Sequence, residues 1–544
     1  MKLQNLFACS LALAVAFPCS LLASDESINK ELAEQLVNAP AEVLGFASKE
    51  VSFETEDREL YEIYHENGLQ ALWVNDEGPG KHASALLDIV SRAAEEGLNP
   101  ADYQVAGLRQ YWESRTAADL AELDLLVSLA LVAWVNDTSE GRVHTDPGHP
   151  DRYVRSGDRR LDPVSVVQAF KQTNQPEKYL AGLNPQHRFY VDLRTELGRF
   201  RTLAANGGWN TVDSEGGTLH PGERDARVSQ IRQRLSVTGE FKGDEAASDV
   251  YDEPLQQAVK QFQLFHGLAP DGVAGSQTFA EMNVPVEYRI RQIEMNMERW
   301  RWNNHDLENP YILVDIAGFD VQGVKDDEAL VEMRAIVGKL HHETPIFSDH
   351  IKYIEFNPYW NLTPSIARHE TVPKASKDPN YLASKHIRVF DGWGQDAQEL
   401  DPASVDWNSV TNSGKYKFRQ DPGPWNALGT MKFIFPNEYS VYLHDTPNHD
   451  LFERAERSFS HGCIRLSEPS QLAEWVLKVT GSDWTMENIE EVLESKQRTV
   501  KNLDRPLAVH LTYETAWVDG DSRIRFAHDL YSRDAKLEKA LYGE

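Results

Sequence analysis

Apolar residues recur at intervals of three and four through most of the first 200 residues. The clearest run lies in residues 121–135, where one helical face carries Leu123, Leu126, Val127, Ala130, Leu131 and Trp134. Clusters of glycine and proline at 76–80, 97–100 and 146–150 separate the periodic stretches. The pattern predicts an α-helical scaffold over residues 27–206, with aromatic residues such as Trp73 and Tyr103 in its core.

A second, smaller helical unit follows a stretch at 207–217 whose Gly, Asn and Ser residues predict a linker. Two amphipathic helices are marked by Val228, Ile231 and Leu235 and then by Leu255, Val259, Phe262 and Phe265. A turn at 270–275 precedes a third short helix, for which Ser276 is the predicted N-cap. We therefore predict a three-helix domain at 221–284, followed by a connector helix within 285–308.

The pattern changes to period two at residue 311, which indicates β-strands. Strand-like stretches at 311–317 and 329–337, a hairpin at 431–444 and a tail from 507 predict a mainly β domain over 309–544. An insert of mixed loop and helix, at 357–420, interrupts it. Inserts of that length inside a domain are usually functional, although a surface decoration is the alternative.

The N-terminus predicts export. A short basic end precedes an apolar run over residues 6–17 and a small-residue stretch up to Ser24, which is the layout of a secretory signal over 1–24. The run is too short for a stable membrane anchor. Pro18 before Cys19 disfavours processing as a lipoprotein, so we expect cleavage near Ala23 or Ser24.

Charge and cysteine usage restrict the function further. A net charge of −30 excludes a nucleic-acid partner, since no basic surplus exists to bind phosphates. Signal cleavage would remove Cys9 and Cys19 and leave Cys463 as the lone thiol, which in an exported protein is a candidate reactive group. We expect no metal and no cofactor, because no histidine cluster has ligand spacing to that thiol; His341 and His342 are expected at the surface without partners.

Two histidines lie close to this cysteine in sequence. His444 and His461 could each take the thiol proton and leave the nucleophilic thiolate. Strand alternation places Tyr442 and His444 on one face of a strand, opposite two apolar neighbours. The residues alone leave open which histidine is the base, and a buried apolar cysteine remains the alternative.

Gly462 and Arg465 flank the cysteine and suggest further roles. Gly462 lacks side-chain bulk and permits a tight backbone, so that amide N–H groups could face an oxyanion. The guanidinium of Arg465 could bind a substrate carboxylate or could form an internal salt bridge. Tyr442 is a weaker candidate for lining the cleft.

The motif Ser460-His-Gly-Cys-Ile-Arg465, with a histidine nineteen residues before the cysteine, resembles the signature of the L,D-transpeptidases, bacterial cell-wall cross-linking enzymes. The stretches at 422–429, 432–437 and 443–447 are similar to the large periplasmic branch of that family, which pairs the domain with a helical scaffold and a wall-binding unit. The three-helix unit resembles a peptidoglycan-binding domain, through the stretches 228–235, 258–263 and 271–276.

The resemblance implies a multidomain protein with a thiol mechanism. Cys463 would be the nucleophile and His444 its base, oriented by the backbone carbonyl of Asp445, and the insert would be a lid that caps the site. His461, Gly462, Arg465, Tyr442 and Ser460 would surround them.

The function that follows is an exported, periplasmic L,D-transpeptidase. It would join the third residues of peptidoglycan stem peptides through a thioester on Cys463. An L,D-carboxypeptidase, in which water replaces the acceptor amine, and attachment of a lipoprotein to the wall are alternatives with the same intermediate. A wall-binding scaffold without catalysis is an alternative of another class, and the lack of a papain-like signature argues against a cysteine protease.

Overall fold

The computed structural model describes residues 24–38, 54–143, 162–243, 248–302, 307–378, 380–405, 407 and 415–543. The predicted signal segment, with Cys9 and Cys19, lies outside the described residues except for Ser24. Within the described ranges, no helix combines the length and the apolar character needed to cross a bilayer. The chain is multidomain, with a helical N-terminal region, a three-helix unit and a mainly β domain.

The N-terminal region is helical, as the periodicity predicts. Its helices are α1 (Asp25–Asn38), α2 (Glu54–Glu66), α3 (Lys81–Ser91), α4 (Val105–Tyr111), α5 (Ala117–Glu140), α6 (Pro163–Gln172), α7 (Pro176–Ala181) and α8 (Arg188–Ala205), with a small hairpin of β1 (Val74–Asn75) and β2 (Gly78–Pro79). Helix α5 is the central element, since apolar residues on most of its sides are buried. Trp73 and Tyr103 both lie in the core.

The three-helix unit consists of α9 (Arg227–Thr238), α10 (Glu253–Phe265) and α11 (Ser276–Met282) around a core of its own. Gly275 occupies the N-cap position of α11, one residue before the predicted Ser276, which is the first helical residue. The unit contacts the β domain, because the ring of His266 stacks on Phe526 at 5.5 Å between ring centroids. It is therefore packed against the rest of the chain.

Helix α12 (Val286–Trp302) follows the three-helix unit and has the bounds that its apolar face predicts. It is buried at the junction of the regions. Arg299 forms a buried ion pair of 2.5 Å with Asp534, and the Asn296 side-chain amide donates a hydrogen bond to the hydroxyl of Thr515. The connector is thus part of a shared core rather than an exposed link.

The β domain is built on one nine-stranded sheet, with strand order β13-β5-β14-β12-β11-β6-β15-β3-β4. Its strands are β3 (Tyr311–Asp315), β4 (Asp320–Lys325), β5 (Glu328–Gly338), β6 (Phe347–Phe356), β11 (Met431–Ile434), β12 (Leu443–His444), β13 (Ser458–Ser460), β14 (Ile464–Leu466) and β15 (Thr499–Thr512). The insert contains β7 (Trp360–Asn361), β8 (Ile387–Phe390), β9 (Glu399–Leu400) and β10 (Lys417–Gln420). A hairpin of β16 (Ala516–Val518) and β17 (Ile524–Phe526) follows β15. Helices α16 (Pro469–Thr480), α17 (Met486–Glu494) and α18 (Arg533–Tyr542) complete the domain.

The insert at 357–420 is a folded subdomain. Its strands form a separate sheet of order β7-β10-β8-β9, and three short helices accompany them: α13 (Pro364–Ile366), α14 (Val372–Ala375) and α15 (Tyr381–Ser384), with a π-helical segment at Ala367–Thr371. Leu362, Val389 and Phe418 belong to its own apolar core. The sequence pattern predicted only loop and helix here, because strands of two to four residues are too short to show a clear period of two.

A pair of buried carboxyl groups lies where β3 and β15 end. Burial raises the pKa of Asp315 to about 7. Burial, and secondly the charge of Asp315, raises the pKa of Glu514 well above its usual range. Among the described residues, neither carboxyl oxygen of Glu514 has a hydrogen-bond partner. Because these folded-state pKa values are raised, the groups stabilise the fold at low pH and that contribution is lost as the pH rises.

The substitution Glu514→Gln tests this effect, because an amide of the same shape cannot ionise. We expect the unfolding temperature of the variant to fall less than that of the original protein between about pH 5 and about pH 9, measured by calorimetry. The exposed Glu490→Gln is the matched control and should leave the pH profile unchanged. Parallel profiles for Glu514→Gln and the original protein would contradict the expectation.

Candidate active site

Strand β12 brings the candidate residues together by its pairing with β14. The two strands are parallel, with Leu443 opposite Ile464 and His444 opposite Arg465. Leu443 and Ile464 are fully buried in the domain core. Because side chains alternate along a strand, His444 and Arg465 lie on the other face, and Cys463 just precedes β14 there.

His444 is held in one orientation. Its Nδ1–H donates a hydrogen bond of 2.5 Å to the backbone carbonyl of Asp445, which leaves Nε2 as the acceptor nitrogen. Burial, and then the positive charges of Arg465 and Lys432, lowers the pKa of His444 to about 3. The imidazole is therefore neutral at physiological pH and able to accept a proton.

The Asp445 carbonyl is itself fixed by the Asp445 side chain. The carboxylate accepts hydrogen bonds from the backbone N–H and hydroxyl of Thr430, at 2.8 and 2.7 Å. It also accepts one from the N–H of Thr446 at 2.7 Å. Gly429 has a φ of +61°, and a Cβ there would collide with the Asp445 side chain. Sequence reasoning missed Thr430 and Gly429, although Gly429 stands in the motif at 422–429.

Cys463 keeps a partly exposed thiol beside the hydroxyl of Tyr442. Burial raises the pKa of the Cys463 thiol, and the hydrogen bonds from Tyr442 and the charge of Arg465 offset this only in part. Burial, and secondly the thiol, raises the pKa of Tyr442. The ring of Tyr442 lies 5.6 Å from that of His444, so the two share a face as predicted. The free protein therefore holds a neutral thiol at the start of β14 and a neutral imidazole on the neighbouring strand β12.

The turn before the cysteine is held by hydroxyl groups. Ser460 Oγ accepts from the Gly462 N–H at 3.0 Å and donates to the Cys463 carbonyl at 2.5 Å. Thr344 Oγ donates to the Gly462 carbonyl at 2.9 Å. Gly462 has a φ of +108°, which a side chain disfavours. The Gly462 amide itself donates within the turn, so the prediction that backbone amides near Gly462 face an oxyanion rests on other N–H groups of this segment.

His461 points toward the insert. Its Nε2 lies 2.7 Å from Oε1 of Glu370, in the π-helical segment, and 3.5 Å from Nζ of Lys339. Its ring lies 4.8 Å from the ring of His342. The fold thus brings the exposed His342 next to His461, from a loop that is distant in sequence. Nε2 of His461 thus contacts Glu370 of the insert and Lys339, which follows β5.

Arg465 has no ion pair among the described residues, and its buried Nε has no hydrogen-bond partner there. The internal salt bridge considered from the sequence is thus not observed in that part of the chain. Burial lowers the pKa of Arg465, and the nearby thiol partly offsets this. No group of three or more His, Cys, Asp or Glu side chains in the described ranges is arranged to hold a metal ion.

Comparisons with known families place three matches along the chain. Residues 309–491 match the L,D-transpeptidase catalytic domain. The chain carries a catalytic domain of the L,D-transpeptidase family. Residues 58–197 match a scaffold domain, and residues 224–282 match a family described as "Putative peptidoglycan binding domain".

Two known proteins are similar to this chain over part of its length. A "Putative L,D-transpeptidase" of Haemophilus influenzae is 34% identical over 320 residues, which cover 57% of this chain and 63% of that protein. The N-acetylmuramoyl-L-alanine amidase CwlM of Mycobacterium tuberculosis is 32% identical over 84 residues, covering 14% of this chain and 20% of that protein. The alignments thus span less than two thirds of either relative.

Two solved structures are also similar. An L,D-transpeptidase from Xylanimonas cellulosilytica DSM 15894 aligns at 15% identity over 55% of this chain and 100% of that chain, with a TM-score of 0.19. An L,D-transpeptidase from Stackebrandtia nassauensis aligns at 12% identity over 56% and 96% of the two chains, with a TM-score of 0.22. At these scores the alignments add nothing to the family matches.

The neutral thiol predicts how Cys463 reacts with pH. In protein lacking residues 1–23, alkylation by iodoacetamide should accelerate steadily to above about pH 9, because burial raises the pKa of the thiol. The same protein in denaturant provides an ordinary thiol as the control. A rate plateau from about pH 5 to about pH 8 would reveal a preformed thiolate and imidazolium and would contradict this electrostatic account.

Proposed function

We propose that the chain is an exported L,D-transpeptidase that joins the third residues of two peptidoglycan stem peptides through a thioester on Cys463. The observation that supports this most is the neutral His444, oriented by the Asp445 carbonyl on the strand beside the Cys463 segment. A neutral imidazole next to a thiol is the arrangement that general-base activation of a nucleophile needs.

The first half-reaction forms the acyl-enzyme. The Cys463 sulfur attacks the carbonyl carbon of the third stem residue while Nε2 of His444 takes the thiol proton. The carbonyl π electrons move to oxygen. When they return, the bond to the terminal D-alanine breaks, and the imidazolium protonates the leaving amine. A thioester and free D-alanine result.

The second half-reaction transfers the acyl group. The amine of an acceptor stem attacks the thioester carbonyl, and His444 takes a proton from that amine. The carbon–sulfur bond breaks and the thiolate recovers the proton from the imidazolium. With water as the attacking group, the same steps would trim the donor without a cross-link.

Arg465 is the residue that we propose for binding the donor carboxylate. Its guanidinium lies on the His444 face and has no ion pair among the described residues, so it can pair with a carboxylate of the donor stem. Tyr442 would contact the sulfur as charge develops there, since its hydroxyl already faces the thiol.

The domain division and the location remain part of the same proposal. We propose a signal over 1–24, a scaffold at 27–206, a wall-binding unit at 221–284, a connector at 285–308 and a catalytic domain at 309–544. Export by the signal would place the chain in the periplasm, where stem peptides are the partners. The insert at 357–420 would cap the site, which its contact through Glu370 to His461 supports.

Incubation with purified tetrapeptide muropeptides tests the proposed reaction. Mass spectrometry should show dimers joined between third residues and released D-alanine, and Cys463→Ala should abolish both. Trimmed tripeptides without dimers would instead establish a carboxypeptidase. Folded protein that leaves the muropeptides unchanged would indicate a scaffold without catalysis.

His444→Ala and His461→Ala form a matched pair that separates the two histidines. We expect His444→Ala to lower kcat/KM for dimer formation by about 10²- to 10⁴-fold, because it removes the general base. His461→Ala should cost much less, since its ring contacts Glu370 and His342. Equal losses, or a larger loss for His461→Ala, would contradict the assignment of His444 as the base.

A further inference from the structure

One face of the insert's sheet carries cations and aromatic rings. In β10, Phe418 packs into the insert's core, so Lys417 and Arg419 project from the opposite face. The register places Lys417 opposite Phe390 of β8 and Arg419 opposite Arg388. We call the face formed by these four residues the outer sheet face.

Arg419 is held between two aromatic rings. Its guanidinium carbon lies 4.5 Å from the ring centre of Tyr359 and 4.6 Å from that of Phe390. Among the described residues it has no ion pair, and its buried Nε has no hydrogen-bond partner. A stacked guanidinium is fixed in orientation while its N–H groups can still meet a carboxylate. The two rings therefore hold the Arg419 side chain in place, and no anion among the described residues pairs with its guanidinium.

Lys417 is the second unpaired cation of the outer sheet face. Its Nζ lies 5.9 Å from the ring centres of both Phe390 and Trp393, and it has no ion pair in the described ranges. Arg388, on the same face, is paired with both Glu399 and Asp421. Two carboxylates thus neutralise Arg388, whereas no carboxylate among the described residues pairs with Lys417 or Arg419.

The unpaired state of Lys417 and Arg419 has an energetic cost. Side chains two residues apart on one strand lie about 7 Å from each other, so the like charges repel. The chain has a net charge of −30 and therefore many carboxylates that could have paired with them. An external anion would relieve this repulsion, which makes the outer sheet face suited to a carboxylate-bearing ligand.

One exposed indole ring adjoins Lys417, and a second lies near the end of β10. Trp393 is 46% exposed beside Lys417, and Trp425, 42% exposed, stacks on His386 at 3.6 Å between ring centroids. The Trp425 carbonyl accepts a hydrogen bond from Gln420, the last residue of β10. Exposed aromatic side chains next to charged groups mark interaction sites, since an indole offers an apolar face to a ligand ring.

We propose that the outer sheet face is a binding site for a peptidoglycan strand, with Lys417 and Arg419 on stem-peptide carboxylates and Trp393 against a sugar ring. The identity of the ligand rests on the proposed function. The same insert reaches the Cys463 segment through the ion pair between Glu370 and His461. A strand bound at this face is thus held by the subdomain that contacts the reactive turn.

Co-sedimentation with insoluble peptidoglycan tests the site. The full chain carrying Cys463→Ala is used, so that turnover plays no part. Adding Lys417→Ala with Arg419→Ala should weaken retention about tenfold, because two charge-assisted contacts are lost. Adding Lys377→Ala with Lys385→Ala, which removes the same charge from exposed positions of the insert, should change nothing. Trp393→Ala should also weaken retention.

Peptidoglycan stripped of its stem peptides separates the two kinds of contact. On that material the Lys417 and Arg419 variant should bind like its parent, while Trp393→Ala should still bind less. Since Arg419 is packed between rings, Lys417→Glu serves as a variant that leaves this packing intact and should also lose retention. The proposed site would be overturned if Lys417→Glu bound intact peptidoglycan as well as its parent does. It would also be overturned if the control pair Lys377→Ala with Lys385→Ala lost as much retention as Lys417→Ala with Arg419→Ala. Because binding is measured without turnover, the muropeptide assay can fail or succeed independently.

Discussion

The parallel pairing of β12 with β14 is the constraint on which the candidate site depends. It places His444 opposite Arg465 and brings Cys463 beside Tyr442, although the two strands are separated by a loop in sequence. A shift of register by one residue would turn His444 into the core and Leu443 toward the thiol. Burial of Leu443 in the core therefore fixes the position of His444 as much as the hydrogen bond to the Asp445 carbonyl does.

The electrostatics of the site follow from burial. A low-dielectric surrounding disfavours both the thiolate and the imidazolium, so the pKa of Cys463 is raised and that of His444 lowered to about 3. In the proposed reaction, charge forms when substrate arrives, and we propose that Arg465 and Tyr442 stabilise it. The hydrogen bond to the Asp445 carbonyl keeps the accepting nitrogen of His444 in place throughout.

The sequence predicted the parts of the fold that depend on local periodicity. Long stretches with apolar residues three and four apart identify α5, α10 and α12, and alternation puts Tyr442 and His444 on one face, as the structure shows. Contacts between distant loops could not be predicted in this way. Two such contacts are the ion pair between His461 and Glu370 and the hydrogen bond from Thr430 to the Asp445 carboxylate. Each joins segments that come together only when the whole sheet has formed.

The insert connects the turn that precedes Cys463 to a surface of the β domain. Its helical side reaches His461 through Glu370, while its sheet carries Lys417 and Arg419, which have no carboxylate partner in the part of the chain that the structure describes. The insert thereby links the proposed binding face to the segment of the main sheet that carries Cys463.

The proposed reaction depends on a covalent intermediate at Cys463. Its most direct test is peptide mapping by tandem mass spectrometry after rapid quenching of the protein with a tetrapeptide donor. We expect a thioester-linked tripeptide stem on the peptide that contains Cys463. Formation of cross-linked product by protein carrying Cys463→Ala, or an adduct on another residue, would contradict it.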